Sequence, residues 1–377
     1  MILKDIAQYL DKIFHKNLAY TWDKVGLQLG RSEAEIKKIL VTLDIDDGVI
    51  EEALNTGSNL IVSHHPLIFE PVEDITDLST GVSEKILRLI EKGIAVYAAH
   101  TNYDIMPGGL IDVISGKLEL EDLQYIKQEN VQWYKFVIFV PRDSQDKVRK
   151  AICSRGGGEF KNYSCCTFNT AGKGTFLPGE GAEPYIGEKG NLNIVDEIRM
   201  ECIVNEYDLE KVVKAATEAH PYEEAAYDIY KIENNFGGRG PGRYGRLKEP
   251  EVFKRYIRRL KQQLQVESIG CLHKGIGNIG NKLIEKVAII NGSANSLVDE
   301  IAALDCDLVL VGEIGYHNSI KISESGKIVA ALGHGDSEKW AIDDIYDHLS
   351  DFSSGNDISL EIIKSKEGYW IWRYDIG

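Results

Sequence analysis

Apolar segments and helical patterns alternate at both ends of this chain, and this alternation constrains the fold more than any other feature. In the first third, helical patterns over residues 48–55 and 84–93 each follow an apolar segment, and patterns over 296–304 and 337–349 do so in the last third. The segments that we predict to contain strands are 38–44, 59–66, 94–104, 285–294, 306–317 and 326–334. Strands that alternate with helices predict an α/β fold with substantial parallel pairing.

The middle of the chain has a different pattern. Residues 132–160 predict a strand, a helix and a glycine-rich turn, and residues 196–232 predict a strand, a helix and a strand. Two such units are typical of a small ferredoxin-like domain. We therefore predict two related α/β layers that form one core domain from residues 1–126 and 234–377, with an inserted ferredoxin-like α+β domain at 127–233.

The charge of the chain argues against general nucleic-acid binding. The formal net charge is -16 over 377 residues, and such a surface repels phosphate backbones. The glycine-rich stretch 234–247 lacks the G-x-x-x-x-G-K-[ST] pattern of a phosphate-binding loop. We interpret it as the linker that returns from the insertion to the core.

The first segment and the cysteines predict a cytoplasmic protein without membrane association. Ile6, Leu10 and Ile13 recur at helical spacing, whereas Lys4 and Asp5 interrupt any apolar run. No apolar run approaches the ~20 residues that a membrane-spanning helix needs. The chain has six cysteines and none forms a C-x-x-C pair. We expect reduced, buried thiols rather than disulfides or a cysteine zinc site.

Two histidines directly follow the strand pattern of segment 59–66. His64 and His65 lie where the predicted strand ends and the chain turns, and at such a position two adjacent rings can reach two nearby metal ions. Imidazole suits zinc, iron, copper and nickel. Taken alone, the pair also fits one histidine packed in the core and one on the surface.

Two further clusters of polar residues each contain a carboxylate. Asp104 ends segment 94–104, and Glu338 lies four residues after His334, a spacing that brings two side chains together on a helix. Each carboxylate taken alone has a simpler interpretation. Asp104 fits the cap of a turn, and Glu338 fits a first-turn carboxylate favoured by the helix dipole.

Together, the three clusters predict a two-metal site. Each follows a predicted strand, and open α/β sheets place their sites at the carboxyl ends of strands. Five ligands with two carboxylates are too many for one closed tetrahedral zinc ion. We predict two divalent ions per subunit (zinc, iron, manganese or nickel) held by His64, His65, Asp104, His334 and Glu338. We assign His100 and His317 as candidates that orient these ligands or contact the substrate.

Five ordered segments resemble the signatures of a known family. They are WDKVGLQLG (22–30), SHHPLIF (63–69), HTNYD (100–104), GEIGYH (312–317) and GHGDSE (333–338). They look like those of the dinuclear-metal-centre proteins named GTP cyclohydrolase I type 2 homologues, and the resemblance covers essentially the whole chain. The insertion is similar to the extra domain of the longer members, which resembles trimeric signalling and copper-tolerance proteins of the PII and CutA types.

The resemblance carries expectations about ligands, assembly and reaction. It implies that the family's metal ligands correspond to the five residues named above. It also implies a homohexameric ring with the metal sites facing the interior. The family name implies a nucleotide substrate, with a metal-bound hydroxide opening the guanine imidazole ring of GTP and releasing formate.

Two classes of function fit these expectations. The first is a dinuclear-metal-dependent hydrolase that acts on a small polar substrate. The second is a metal-binding regulatory or scaffold protein without turnover, because the inserted domain resembles ligand sensors. An exchangeable water that faces a cavity favours catalysis, whereas saturated coordination favours a structural role.

Overall fold

The chain folds as two compact units. A computed structural model describes residues 1–76, 78–160, 163–234, 238–273, 279–356 and 358–367. Residues 1–128, together with the described residues from 239 onward, form the core unit, and the described residues between 129 and 238 form the inserted unit.

The helices and strands follow one another in three groups. Before the insertion they are α1 (Leu3–Ile13), β1 (Gly26–Leu29), β2 (Lys38–Thr42), α2 (Asp47–Thr56), β3 (Leu60–Ser63), α3 (Val82–Glu91), β4 (Ala95–Ala98), α4 (Thr101–Ile105), α5 (Leu110–Lys117) and β5 (Leu120–Tyr125). In the insertion they are β6 (Glu129–Asn130), β7 (Trp133–Pro141), α6 (Gln145–Cys153), β8 (Thr167–Phe176), β9 (Asn193–Asn205), α7 (Leu209–Ala219), β10 (Tyr227–Ile232) and, at its end, β11 (Gly238–Arg239). After it they are β12 (Arg243–Val252), α8 (Phe253–Gln263), β13 (Gly270–Leu272), β14 (Leu283–Ser293), α9 (Val298–Ala303), β15 (Leu308–Glu313), α10 (Tyr316–Glu324), β16 (Ile328–Ala331), α11 (His334–Glu338), α12 (Trp340–Gly355) and β17 (Glu361–Lys364).

The core unit contains two related sheets. In the described part of the chain, the first sheet has the strand order β1-β4-β3-β2-β17 and the second has the order β13-β16-β15-β14-β12-β5. Strands β2, β3 and β4 are parallel neighbours, as are β14, β15 and β16. Each parallel trio is flanked by an antiparallel strand on the side of its last member. The predicted α/β core of two related layers is therefore confirmed.

Helices cover both faces of each sheet, which explains why the parallel strands are apolar along their whole length. Alternate residues of β3 face opposite sides, so Leu60 and Val62 join the central cluster while Ile61 packs with α2 and α3. The central cluster also contains Leu308 and Leu310 of β15, so it lies between the two sheets. The predicted amphipathic first helix packs Ile6 and other apolar residues into this cluster.

The inserted unit has a ferredoxin-like fold. Its strand order is β10-β7-β9-β8, all neighbours are antiparallel, and α6 and α7 connect the strands in a βαββαβ sequence. Its own core includes Phe136, Ile138 and Met200 from the sheet and Val148 and Val212 from the helices. That the unit folds as an independent domain with the boundaries 127 and 233 stays a prediction.

Two local predictions from the sequence are wrong. The strand predicted up to Asp104 ends at Ala98, because the chain turns into α4, where the Asp104 amide donates to the His100 carbonyl. The predicted linker 234–247 contains β11 (Gly238–Arg239) and, from Arg243 onward, the start of β12, and its residues 235–237 lie outside the described residues. Arg243 is buried, and its Nε pairs with the Asp112 carboxylate at 2.7 Å.

The expectation of reduced, buried cysteines is wrong for several of them. Cys153 and Cys165 form a disulfide in the inserted unit, with Cα atoms 5.0 Å apart. The end of α6 brings Cys153 back to a residue twelve positions later, a contact that cysteine spacing does not reveal. Of the four free thiols, Cys166 and Cys271 are exposed, Cys306 is half-buried and Cys202 is buried.

Among the described helices, none combines the length and the apolar character that crossing a membrane requires.

Candidate metal centre

The carboxyl ends of the parallel strands carry the candidate ligands. His64 and His65 follow β3, and Asp104 lies on α4 after β4. His334 and Glu338 begin and end α11, the short helix after β16. The structure therefore brings together all five side chains that the sequence analysis selected as ligands, from both sheets of the core unit.

Glu338 lies at the centre of this cluster. Its Oε2 is 2.9 Å from His65 Nε2 and 3.1 Å from His334 Nε2. Its Oε1 faces the other side, 4.0 Å from His64 Nε2. The contact with His334 confirms that the i, i+4 spacing is helical. One oxygen of the Glu338 carboxylate thus faces His65 and His334, and the other faces His64.

His64 presents a lone pair without a donor. Its ring is fully buried, and Nδ1 lies 2.8 Å from the Ala99 carbonyl oxygen, which only accepts hydrogen bonds. Nδ1 therefore carries the proton, and Nε2 carries the lone pair. Nε2 has no hydrogen-bond partner within the described residues and lies 3.5 Å from Asp104 Oδ1. A buried lone pair aimed at carboxylates fits a cation between them.

The other histidines are oriented in the same way through Nδ1. Asp44 Oδ1 lies 2.8 Å from His65 Nδ1, and Glu313 Oε1 lies 3.4 Å from His334 Nδ1. Such carboxylate–histidine pairs fix the ring and leave Nε2 for a metal. The sequence analysis did not select Asp44 or Glu313, although each ends a predicted strand segment or lies within one.

Three groups of side chains place their ligand atoms within 4.8 Å of one another. These groups, each able to hold a metal ion, are His65 with His334 and Glu338, His64 with Asp104 and Glu338, and His64 with His65 and His100. His100 therefore borders the centre, and its Nδ1 is 2.9 Å from the Asp23 carboxylate. His317 belongs to none of these groups in the described part of the chain. It is exposed on α10, where its ring contacts Tyr316.

β14 supplies space and a donor for the carboxylates. Asn291 Nδ2 donates to Asp104 Oδ1 at 2.7 Å. The next residue, Gly292, has a φ of 56°, and a Cβ atom there would lie 2.4 Å from Glu338 Oε1. A glycine is therefore required, because any side chain would displace the Glu338 carboxylate.

The local electrostatics divide the histidines into two kinds. Burial lowers the pKa of His64 to about 3, so its imidazole is neutral at neutral pH. Burial also disfavours the charged form of His65, but its hydrogen bonds to Asp44 and Glu338 outweigh this and raise its pKa to about 10. The hydrogen bond to Glu338 raises the pKa of His334 to about 9. Burial and the Glu338 charge both raise the pKa of Asp104.

We expect Asp44→Ala to weaken metal binding about 10- to 100-fold, because His65 would lose the partner that fixes its ring. Competition titration against a chromophoric chelator measures this affinity. Asp47→Ala is the matched control, because Asp47 is an exposed carboxylate of the same segment that pairs with Arg88. Equal affinities of the wild-type protein and Asp44→Ala would show that Asp44 does not position His65.

Comparison with known proteins assigns the chain to a family. The family model described as Duf34/NIF3 (NGG1p interacting factor 3) matches residues 1–368. The chain belongs to the Duf34/NIF3 family. The family resemblance inferred from the five ordered segments is thereby confirmed.

Relatives match the chain over most of its length. A protein of Halalkalibacterium halodurans named GTP cyclohydrolase 1 type 2 homolog is 36% identical and covers 87% of both chains. A Bacillus subtilis protein of the same name is 34% identical over 88% of this chain and 87% of its own. The crystal structure of a Bacillus cereus protein related to NIF3 is 31% identical, covers 98% of both chains and superposes with a TM-score of 0.79.

Proposed function

We propose that this Duf34/NIF3 protein is a dinuclear-metal-dependent hydrolase that acts on a small polar substrate in the cytoplasm. Its proposed ligands are His64, His65, Asp104, His334 and Glu338. The donor set of imidazoles and carboxylates accepts zinc, iron, manganese or nickel. The single observation that carries the proposal is the position of Glu338. Its two oxygens face different histidines, and it belongs to two of the three groups of side chains that could hold a metal ion.

A pair of divalent cations at this position would activate water and stabilise a developing oxyanion. The side chains around it have separable roles. Glu338 and Asp104 would supply the negative charge that holds the cations, while Asn291 keeps the Asp104 carboxylate in place through its amide. Asp23 holds His100 with one ring nitrogen facing the cluster, in position to contact a substrate.

The substrate and the assembly are proposed from the relatives. Two proteins that align over 87% or more of this chain carry the name GTP cyclohydrolase 1 type 2 homolog. That name favours a nucleotide whose imidazole ring is opened with release of formate. We further propose a homohexamer, as the family resemblance implies.

Turnover by metal-loaded protein tests this function. GTP and other nucleotides are incubated with protein loaded with each of the four metals, and formate and phosphate are measured. We expect one of the two products to be released by wild-type protein and not by Glu338→Gln. Glu91→Gln, the same change at an exposed residue of α3, is the matched control and keeps the activity.

The opposite result favours the regulatory or scaffold function. Protein that retains its metals and releases neither formate nor phosphate with any of the four metals would contradict the hydrolase proposal. Product release that persists in Glu338→Gln would contradict the assignment of the reaction to this centre.

A further inference from the structure

An exposed aromatic surface borders the metal centre and has no role in the chemistry described so far. Trp22 is 54% exposed, and Phe69 is 41% exposed. The Tyr20 ring stacks on one side of the indole, with centroids 5.7 Å apart and an interplanar angle of 17°. Phe69 meets the indole edge-on at 6.0 Å. We refer to Tyr20, Trp22 and Phe69 as the aromatic wall.

The aromatic wall is held in a fixed position next to the centre. The His100 ring contacts Trp22 at 6.5 Å and His64 at 5.4 Å, so His100 lies between the indole and the ligand cluster. Asp23, the residue after Trp22, is buried. Its carboxylate accepts hydrogen bonds from the amide and the hydroxyl of Thr101 as well as from His100. The segment that carries Trp22 is therefore tied to the segment that carries His100.

A cavity whose lining includes two lysines adjoins the aromatic wall. Tyr20 and Asp23 also line a cavity of about 500 Å³, together with Lys16, Lys24 and Gln28. Both lysines are exposed, and neither forms an ion pair with another described residue. The Asp23 carboxylate in the same lining already accepts hydrogen bonds from His100 and Thr101. In a chain with a net charge of -16, the two ammonium groups beside the candidate site therefore favour an anion.

We propose that the aromatic wall binds a flat, unsaturated ring of the substrate and that Lys16 and Lys24 bind an anionic group on the same molecule. This inference rests on the proposed function, because it assigns the substrate class of that centre. One face of the Trp22 indole is stacked on Tyr20. Because Trp22 is largely exposed, part of the indole surface remains for a ring of the substrate. A planar ring buries that surface at low entropic cost and lies beside His100, within reach of the ligand cluster.

Direct binding of matched probes tests the proposal without turnover. The probes are guanosine monophosphate, guanosine and ribose 5-phosphate, which carry ring and anion, ring alone and anion alone. Isothermal titration with metal-loaded protein is expected to rank guanosine monophosphate first. We expect Trp22→Ala to weaken guanosine monophosphate and guanosine about 10- to 100-fold and to leave ribose 5-phosphate unchanged. The double variant Lys16→Ala with Lys24→Ala should weaken the two phosphate-bearing probes and spare guanosine.

Controls separate this inference from the function on which it rests. Trp22→Phe should restore most ring binding, and Tyr230→Ala, a change at an exposed aromatic residue of β10, should alter none. Ring-dependent binding that Trp22→Ala removes supports the subsite even if no product is ever released. The proposal is overturned if guanosine monophosphate does not bind, or if Trp22→Ala affects all three probes equally. It is also overturned if Trp22→Ala changes only the oligomer mass in light scattering, because the wall would then contact a second copy of the chain.

Discussion

Glu338→Gln is expected to remove both metal ions from the protein. The amide keeps the size of the side chain but loses the charge that two donor groups share, and its nitrogen cannot act as a ligand. Wild-type protein purified without added metal should contain two equivalents per subunit by elemental analysis, and the variant should contain less than one. Glu91→Gln is the control and should retain the wild-type content.

The same variant should remain folded, which makes the result interpretable. Glu338 is buried, but its neighbours are the polar groups of His65, His334 and Asn291, which an amide can also contact. Circular dichroism should therefore be unchanged. A folded Glu338→Gln protein that retains two equivalents of metal would contradict the assignment of Glu338 as the shared ligand.

The second large expected effect is a loss of stability as the pH rises, in protein from which a chelator has removed the metal. His65 and His334 have folded-state pKa values raised to about 10 and about 9, against an unfolded value of about 6.5. A raised pKa contributes stability that is complete below the unfolded value and is lost as the pH rises through the folded value. The free energy of unfolding of treated protein should therefore fall between about pH 6.5 and about pH 10.

Metal-loaded protein should not show this alkaline loss, because bound ligands are already deprotonated. At free metal about 1,000-fold above its dissociation constant, binding of one ion adds about 4 kcal/mol to the free energy of unfolding.

In acid, His64 has the opposite effect: its lowered pKa of about 3 favours the unfolded state as the pH falls below about 6.5. Urea titrations of both forms from pH 5 to pH 10 measure these trends. If the free energy of unfolding of the two forms had the same pH dependence, metal binding would not remove protons from His65 and His334, which would contradict their assignment as ligands.

The sequence predicts which side chains come together at the candidate centre, because they depend on local patterns. His64 and His65 directly follow an apolar strand, and the His334–Glu338 spacing matches one helical turn. The alternation of strands and helices likewise predicts the α/β core, since each element is amphipathic or apolar by itself. These features require no knowledge of which strands are neighbours.

Features that depend on distant contacts could not be predicted in this way. Asp23 and Asp44 contact His100 and His65 across 77 and 21 positions, and the local sequence of a carboxylate does not show which distant histidine it contacts. The end of the glycine-rich stretch 234–247 belongs to β12, which pairs with β14 and β5, and its Arg243 contacts Asp112, 131 positions away. His317 also follows a strand pattern, but it is exposed on α10 and lies in none of the three ligand groups of the described residues. Its role stays a prediction.

X-ray diffraction at the absorption edge of the metal present in protein purified without added metal tests the central assignment most directly. Two anomalous peaks about 3.5–4 Å apart, one beside each oxygen of Glu338, are the predicted result. A single peak, or peaks away from the Glu338 carboxylate, would contradict it.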